Sequence, residues 1–370
     1  MALAISRRAL VAACVVVAAS CGRAGQAGQR PLAPAPSLTT MQPGWNRVAG
    51  GPHTTCALGT PYAFFVKVGD PRKLAIYFQG GGGCWDAASC DPRRKPLLYK
   101  PEVGAGEQPY RGGLLNDANP ANPIRGYTTV FVPYCTADVH LGARTVIFTT
   151  AATTNISAHR FEIHYNGAAN VTAALDWIYG HLPSPRTIFV TGESAGSFPT
   201  PVYAVAVSKH YPQARVVQLG DASGAYVSAA AVATIWLGLP VLRAVGMGSG
   251  LDSARLTFAD LYKLAARAAP RIAFAEVNSA EDSEQALYLR AAGDGSSAPV
   301  PVLLRHNIAD IESALPAFRS YVWPGAMHTV ISRPGFYTVS VDGVRLRDWV
   351  DALVNGAPVG DVGASLLSVK

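Results

Sequence analysis

The run "TIFVTGESAGSF", Thr187 to Phe198, passes from β-branched and aromatic residues into small ones around a single serine. The apolar part predicts a buried strand, and the small residues predict a sharp turn into a helix. Such a turn would lift the Ser194 hydroxyl clear of a sheet, near a helix N-terminus that favours negative charge. Gly192 and Gly196 flank the serine because side chains there would collide with neighbouring elements. The motif G-x-S-x-G alone leaves both a nucleophile and an ordinary loop serine open.

Apolar runs bounded by glycine and proline alternate with helical patterns along the rest of the chain. We expect the runs "AFFVKVG" and "KLAIYFQ" to form neighbouring strands. Further strands are predicted in "TTVFVPY", "RTIFVTG", "ARVVQLG", "RIAFAEV" and "RSYVW", and helices in "AANVTAALDWIYGHL", after the serine, over about 302–317 and in "GVRLRDWVDALVNG". A helical and looped insertion, whose role the sequence leaves open, is expected from about 228 to 269. Strands alternating with helices predict an α/β fold, with a mostly parallel sheet covered on both faces.

The helix after the serine carries an irregular signal. Pro199 and Pro201 lie early in it, and the second proline should distort or delay the helix because proline lacks a backbone N–H. The order strand, turn and helix is nevertheless the one that a nucleophilic serine requires.

A serine hydroxyl needs a base to take its proton, and the base needs an acid to orient it. In folds of this type the acid follows a late strand and the histidine follows the last one. The loop "NSAEDSEQ" follows "RIAFAEV" and offers Asp282, and the loop "PGAMHTV" follows "RSYVW" and offers His328. These two residues are the predicted acid and base.

Other acids and histidines are weaker candidates for the same roles. Asp221 in "LGDASG" follows the strand after the serine and is the second choice for the acid, whereas Asp310 falls within a helical pattern. His306 also falls in a helical pattern, typical of a surface or packing residue. His140 and His164 precede the serine, which is the wrong order for the base.

Acyl transfer also needs backbone N–H groups aimed at the developing oxyanion. The run "YFQGGGGCW" supplies four glycines, Gly80 to Gly83, directly after a strand, where bare backbone approaches a substrate closely. The N–H of Ala195 would be the second contribution. A purely structural turn stays open, while a phosphate-binding loop is disfavoured because no lysine or G-x-G-x-x-G spacing accompanies the glycines.

The N-terminal residues resemble an export signal. Arg7 and Arg8 precede an apolar stretch and then "AASC", which ends at Cys21. We therefore expect a signal peptide over 1–21 of the lipoprotein type, with Cys21 lipidated, or otherwise plain secretion. Residues 22–43 are rich in Gly, Ala, Pro and Gln and predict a flexible linker, followed by a catalytic domain over 44–370. The expected location is the bacterial cell envelope.

Composition sets limits on the partners. Hydrophobic residues make up 49% and charged residues 15% of the chain, as in a packed globular protein. The formal charge of +7 fits a solvated basic surface or a preference for acidic polymers or anionic surfaces. We expect no nucleic-acid partner, no cofactor and no metal, with membrane contact only through the lipid anchor. The four cysteines after residue 43 predict two disulfides, with three connectivities open.

The chain resembles the pectin acetylesterase family, which also contains the animal Notum carboxylesterases. The resemblance runs from about 56 to 356. Its landmarks are "CALGTPYAFF", "YFQGGGGCWDAASC", "VFVPYCTADVHLG", "GESAGS", "GDASG", "NSAEDSEQ" and "PGAMHTV". It implies an α/β-hydrolase fold and metal-independent ester hydrolysis.

The resemblance also implies roles for individual residues. These are the nucleophile Ser194, the acid Asp282, the base His328, the oxyanion donors Gly81, Gly82 and Ala195, and the disulfides Cys56–Cys135 and Cys84–Cys90. Three positions depart from the family pattern. Ser197 replaces a second glycine, Gly82 or Gly83 stands where an aromatic often follows the oxyanion glycines, and Glu281 replaces an aromatic before the acid.

By this resemblance we expect an exported serine esterase that removes acetyl groups from a polysaccharide such as pectin. Two alternatives remain open. One is a short-chain or lipid carboxylesterase, and the other is a non-catalytic envelope protein that binds glycan.

Overall fold

The computed structural model describes residues 38–152, 157–248, 251–292 and 298–368 of the 370. The expectations for the signal peptide, for Cys21 and for most of the linker lie outside the described residues. At the end of the predicted linker, Leu38 and Met41 pack against the hydrophobic core. None of the helices in the described ranges is long and apolar enough to cross a membrane.

An eight-stranded sheet forms the centre of the molecule. In spatial order its strands are β1 (Trp45–Ala49), β2 (Ala63–Lys67), β4 (Tyr127–Val132), β3 (Asp70–Phe78), β7 (Thr187–Glu193), β8 (Arg215–Asp221), β9 (Ala273–Ser279) and β10 (Arg319–Trp323). Each neighbouring pair from β4 to β10 is parallel, while β1 and β2 add an antiparallel edge. With helices on both faces, the predicted α/β fold is confirmed.

The prediction that the first two apolar runs are neighbouring strands is wrong. β4 lies between β2 and β3, with Phe131 opposite Phe65 on one side and opposite Tyr77 on the other. All three runs are apolar and largely buried, and a continuous apolar run carries no alternation that would specify its partner.

Two smaller antiparallel pairs lie outside the main sheet. They are β5 (Arg144–Thr150) with β6 (His159–Tyr165), and β11 (Ser340–Val341) with β12 (Val344–Arg345). Sequence reasoning missed the β5–β6 hairpin. Its inner residues Val146 and Phe148 pack on the core, while Ile147 between them stays 52% exposed. The alternation of period two was the signal that could have revealed it.

Nine helices occur in the described residues. They are α1 (Ala87–Cys90), α2 (Gly167–His181), α3 (Thr200–His210), α4 (Ala230–Thr234), α5 (Leu239–Ala244), α6 (Phe258–Ala268), α7 (Ser283–Ala292), α8 (Val300–Ala314) and α9 (Leu346–Asn355). The insertion predicted over 228–269 contains α4, α5 and α6. α9 ends at Gly356, whose φ of 79° is the left-handed conformation that closes many helices.

Two disulfides join the four cysteines that follow residue 43. Cys56 bonds to Cys135 across 79 positions, and Cys84 bonds to Cys90 across six. This is the pairing that the family resemblance implies. The shorter bridge closes the segment that directly follows the glycine run.

Candidate active site

Ser194 lies on a strained turn at the end of β7. Its φ of 53° is left-handed, a conformation that costs a non-glycine residue energy and occurs at nucleophile turns. Any side chain at the two flanking glycines would clash with the backbone. A Cβ on Gly196 would lie 2.2 Å from the carbonyl oxygen of Phe78, and one on Gly192 would lie 2.2 Å from the carbonyl oxygen of Gly196. The turn is therefore packed directly against β3.

The helix after the serine is delayed, as the prolines predict. A short 3₁₀ turn spans Ser194–Gly196, and α3 begins only at Thr200. Pro199 and Pro201 fall at the start of α3, where the first backbone N–H groups have no intrahelical partner to lose.

Ser197, where a second glycine is common in the family, has a buried partner. Its hydroxyl lies 2.6 Å from the Ser223 hydroxyl, so the extra polar atom is satisfied. A Cβ on Gly220 of β8 would come within 2.3 Å of the Ser197 oxygen. Ser197 therefore fills space beside β8 and faces away from the cavity described below.

Asp282 and His328 meet in the structure. The His328 Nδ1 atom lies 2.8 Å from Oδ2 and 3.0 Å from Oδ1 of Asp282, whose side chain is wholly buried. The same carboxylate accepts hydrogen bonds from the backbone N–H groups of Glu284 and Gln285 in the first turn of α7, and from the Gln285 side chain. These bonds hold the acid in one orientation against the imidazole.

The surroundings of His328 favour its charged form. Burial opposes that charge, but the hydrogen bond to Asp282 and the negative charges of Asp282, Asp221 and Glu284 outweigh it and raise the pKa of His328. With Nδ1 facing a carboxylate, the proton of the neutral ring belongs on Nδ1. Nε2 is then left to accept one.

Ser194 and His328 are not hydrogen-bonded to each other in the structure. Within the described ranges the Ser194 hydroxyl, which is partly exposed, makes no hydrogen bond. Catalytic hydrogen bonds of this type are often long without substrate and tighten in the complex. The loop that carries His328 is nevertheless attached to the serine strand, because the Ser332 hydroxyl donates to the Glu193 carboxylate, one residue before Ser194.

The glycine run lies against the serine. A Cβ on Gly80 would lie 2.8 Å from the Ser194 Cβ, and Gly82 has a φ of 75° that favours glycine. Among the residues that the structure describes, the backbone N–H groups of Gly81, Gly82 and Ala195 donate to no protein acceptor. These three amides are thus without a protein acceptor, as the donors of an oxyanion hole must be.

A disulfide and a hydrogen bond hold the two ends of this glycine loop. The Cys84–Cys90 disulfide closes the segment directly after the glycines, and His140 Nε2 lies 2.9 Å from the carbonyl oxygen of Gln79, directly before them. Burial lowers the pKa of His140 to about 4, so the ring is neutral and donates its Nε2 proton. His140 is a support for the loop, not a base facing the serine.

The other rejected candidates lie elsewhere. His164, on β6, contacts the Thr145 hydroxyl, and His306 is exposed on α8. Asp310 pairs with Lys263 at 2.9 Å. No group of three or more His, Cys, Asp or Glu side chains in the described ranges is arranged to hold a metal ion.

Asp221, the second choice for the acid, makes different contacts. Its Oδ2 atom accepts hydrogen bonds from the backbone N–H groups of Val330 and Ile331, at 2.7 and 2.9 Å. Its Oδ1 atom is buried without a partner in the described residues. Burial raises the pKa of Asp221 to about 7.

A cavity of about 310 Å³ opens beside Ser194. Its lining is mostly apolar and includes Trp85, Val139, Ala195, Phe198, Tyr226, Ala229, Ala230, Ala231, Val232, Thr234, Ile235, Trp236, Tyr288 and Leu289. Much of one wall is α4 and the residues around it, so part of the insertion predicted over 228–269 lines the candidate site. Trp236 is fixed there because its Nε1 donates to the Cys84 carbonyl oxygen at 2.9 Å. Sequence reasoning had no signal for this wall, since a short alanine-rich helix has no distinctive pattern.

The fold and the strained serine after β7 define an α/β-hydrolase. The family model described as Pectinacetylesterase matches residues 47–235, about half of the chain, and the chain belongs to that family. The match includes Ser194 and the glycine run. Asp282 and His328 lie beyond it, so their pairing rests on the geometry given above.

Curated relatives are similar over shorter stretches. Palmitoleoyl-protein carboxylesterase notum1a of Danio rerio is 30% identical over 92 residues, 24% of this chain and 18% of that protein. Palmitoleoyl-protein carboxylesterase NOTUM of Homo sapiens is 24% identical over 146 residues, 38% of this chain and 27% of that protein. Inactive palmitoleoyl-protein carboxylesterase notum1b of Danio rerio is 30% identical over 92 residues, 24% of this chain and 66% of that protein. The chain thus spans less than two thirds of each relative.

Proposed function

We propose that the protein is a serine carboxylesterase that acts through Ser194, His328 and Asp282. His328 Nε2 takes the proton of the Ser194 hydroxyl as its oxygen attacks the ester carbonyl carbon. Asp282 keeps the imidazole oriented and stabilises its positive charge. The oxyanion is bound by the free amides of Gly81, Gly82 and Ala195. The alcohol then leaves with a proton from His328, and water releases the acyl group from the serine.

One observation carries this proposal. Ser194 occupies a left-handed turn at the edge of the sheet where His328 lies 2.8 Å from a buried carboxylate. Left-handed backbone at a serine is costly, and such strain is typical of functional sites. The membership of the pectinacetylesterase family and the similarity to proteins named carboxylesterases agree with this activity.

A fluorophosphonate probe tests the proposal directly, because it modifies only an activated serine. We expect labelling of the wild-type chain and of Ser197→Ala, a matched control on the same turn. Ser194→Ala should lose both labelling and ester hydrolysis. An unlabelled Ser194 in folded protein without ester hydrolysis would make the protein a non-catalytic member of its family. Esterase activity kept by Ser194→Ala would mean that another residue is the nucleophile. Either result contradicts the proposal.

For the substrate, we propose acetyl esters of a polysaccharide such as pectin. The family description and the formal charge of +7, which suits an acidic glycan, support this choice. The test is acetate release from acetylated pectin beside a neutral acetylated polysaccharide. Equal release from both would contradict a preference for the acidic glycan.

A second candidate is a carboxylesterase for longer acyl chains, and the cavity beside Ser194 favours it. A cavity of about 310 Å³ with apolar walls holds much more than an acetyl group. Each methylene buried there is worth about 0.8 kcal/mol, or about fourfold in kcat/KM. A series of p-nitrophenyl esters decides between the two: the acetyl proposal expects the highest kcat/KM at two carbons, and the second candidate expects a rise with chain length.

We also propose that the protein is exported and anchored to the cell envelope through a lipid on Cys21, with 44–370 as the esterase domain. Two disulfides support export, because such bonds persist in oxidising compartments. Cys21→Ser should release the protein from the membrane fraction into the medium. Unchanged membrane association of that variant would contradict the anchor.

A further inference from the structure

The loop that carries His328 is attached to the strand next to the nucleophile strand by one buried carboxylate. Oδ2 of Asp221 accepts both the Val330 N–H and the Ile331 N–H, at 2.7 and 2.9 Å. These amides lie two and three residues after His328. Thr329, which directly follows His328, has a left-handed φ of 58°. The carboxylate therefore defines where the backbone runs directly after the base.

A second carboxylate reinforces the attachment. Glu193 lies opposite Asp221 in the parallel register of β7 and β8, and it accepts a hydrogen bond from the Ser332 hydroxyl. Glu193 is also the residue before Ser194. β7, which directly precedes Ser194, and β8 beside it thus both hold the loop of His328, through adjacent side chains at the same edge of the sheet.

We propose that Asp221 is a positioning residue for catalysis, which sets the distance between the His328 ring and the Ser194 hydroxyl, with Glu193 and Ser332 as a weaker second attachment. The inference rests on the proposed esterase function and deepens it. Small displacements of a base from its nucleophile lower the rate strongly, so an attachment that fixes the loop of the base supports a high kcat.

The contacts of Asp221 distinguish this role from two others. Asp221 does not act as the catalytic acid, because the Nδ1 atom of His328 is already occupied by Asp282. Asp221 also differs from the other contacts of the loop. The Leu114 N–H donates to the Ile331 carbonyl oxygen at 2.7 Å, but that hydrogen bond does not connect the loop to β7 or β8.

The test compares Asp221→Asn with Asp221→Leu. Asparagine keeps a carbonyl oxygen that can accept both amides, and its NH₂ group replaces the oxygen that has no partner. Leucine has a similar size and no acceptor. We expect Asp221→Asn to keep kcat within about threefold of wild type and Asp221→Leu to lose about 100-fold in kcat, with KM for both within about twofold because the cavity wall is untouched.

Two further variants serve as comparators. Glu276→Gln changes a buried carboxyl group on β9. That group accepts hydrogen bonds from Tyr262 and Asn278, so the variant should alter Tm but not kcat. Asp282→Asn should lose far more rate than Asp221→Asn does. If Asp221→Leu does not fold, Ser332→Ala removes the second attachment on a half-buried residue and should lower kcat about threefold with KM unchanged.

The outcomes separate the ideas. Wild-type kcat in folded Asp221→Leu overturns the positioning role. If Asp221→Leu does not fold, unchanged kcat in Ser332→Ala overturns it. A loss in Asp221→Asn as large as in Asp282→Asn would make Asp221 a catalytic acid instead. The esterase proposal itself is tested separately, by the labelling of Ser194 and the activity of Ser194→Ala, whatever the Asp221 variants do.

Discussion

The Nδ1 atom of His328 lies 2.8 Å from a carboxylate oxygen of Asp282, and solvent does not reach that carboxylate. The pair is assembled from two loops that lie 46 positions apart in the chain. The loops meet because β9 and β10 are adjacent and parallel, so that their carboxyl ends share one edge of the sheet.

The activity should depend on the protonation of His328. The base works only when neutral, and its pKa is raised above the ordinary 6.5. We therefore expect kcat/KM to fall on the acid side with a midpoint above 6.5, measured from pH 5 to 9. Glu284→Gln removes an exposed charge that raises this pKa, so the midpoint should move to lower pH and the shift should shrink in high salt. A midpoint that Glu284→Gln leaves in place would contradict this electrostatic coupling.

Thermal stability should decrease from mildly acidic to neutral pH. Burial raises the pKa of Asp138, Asp221 and Glu276 to about 7 from ordinary values near 4. The folded chain then keeps protons that the unfolded chain releases between about pH 4 and 7. The stability contributed by these groups is complete below that window and is lost as pH rises through it.

We expect Tm to fall between pH 5 and pH 8 when it is measured by circular dichroism. Asp221→Asn removes one of the three titrating groups and should make the slope shallower. A Tm that increases over this range would contradict the sign of the argument.

The two disulfides should affect different properties. Cys56–Cys135 closes a loop of 79 positions and Cys84–Cys90 a loop of six, so their loss should cost roughly 4 and roughly 2 kcal/mol of unfolding free energy. The shorter bridge begins directly after the glycine run, so its double alanine variant should lower kcat about tenfold. Urea unfolding and steady-state kinetics measure the two effects. Equal losses of kcat in both variants would show that neither bridge acts on the glycine loop in particular.

Filling the cavity should change acyl preference. Ala230 of α4 lines the cavity beside Ser194, and Ala230→Phe would occupy part of its volume. We expect kcat/KM for six-carbon esters to drop relative to acetyl esters by tenfold or more, at about fourfold for each excluded methylene. The matched control is Ala291→Phe, at an exposed position of α7 outside the cavity lining. If both variants have the wild-type chain-length profile, the cavity does not receive the acyl group.

Much of the architecture follows from local patterns. The strand and turn around Ser194, the delayed start of α3 at Pro199 and Pro201, and the end of α9 at Gly356 all depend on residues a few positions apart. Apolar periodicity, missing N–H groups and left-handed φ act over that short range. The adjacency of β2 and β3 was wrong because strand pairing is a long-range choice that buried apolar runs do not encode.

The candidate site could be predicted only in part. Asp221 is the last residue of β8, and Asp282 lies three residues after β9 at the same edge of the sheet, so chain order leaves both as possible acids. Which of them contacts His328 depends on how the loop from 328 to 332 crosses that edge, with Asp282 against the imidazole and Asp221 against the backbone. The apolar wall formed by α4 has no sequence signature and becomes visible only where α7 and the glycine loop enclose it.

By itself the sequence determined the types of residue and their order: a serine between two glycines, a glycine run before it, and an acid and a histidine after it. These are properties of neighbours along the chain, where steric limits on the backbone act. Tertiary structure decided which carboxylate meets His328, which amides remain free and what surrounds the serine. Those outcomes depend on contacts between residues far apart in the chain, and the sheet and its loops bring such residues together only when the whole core is packed.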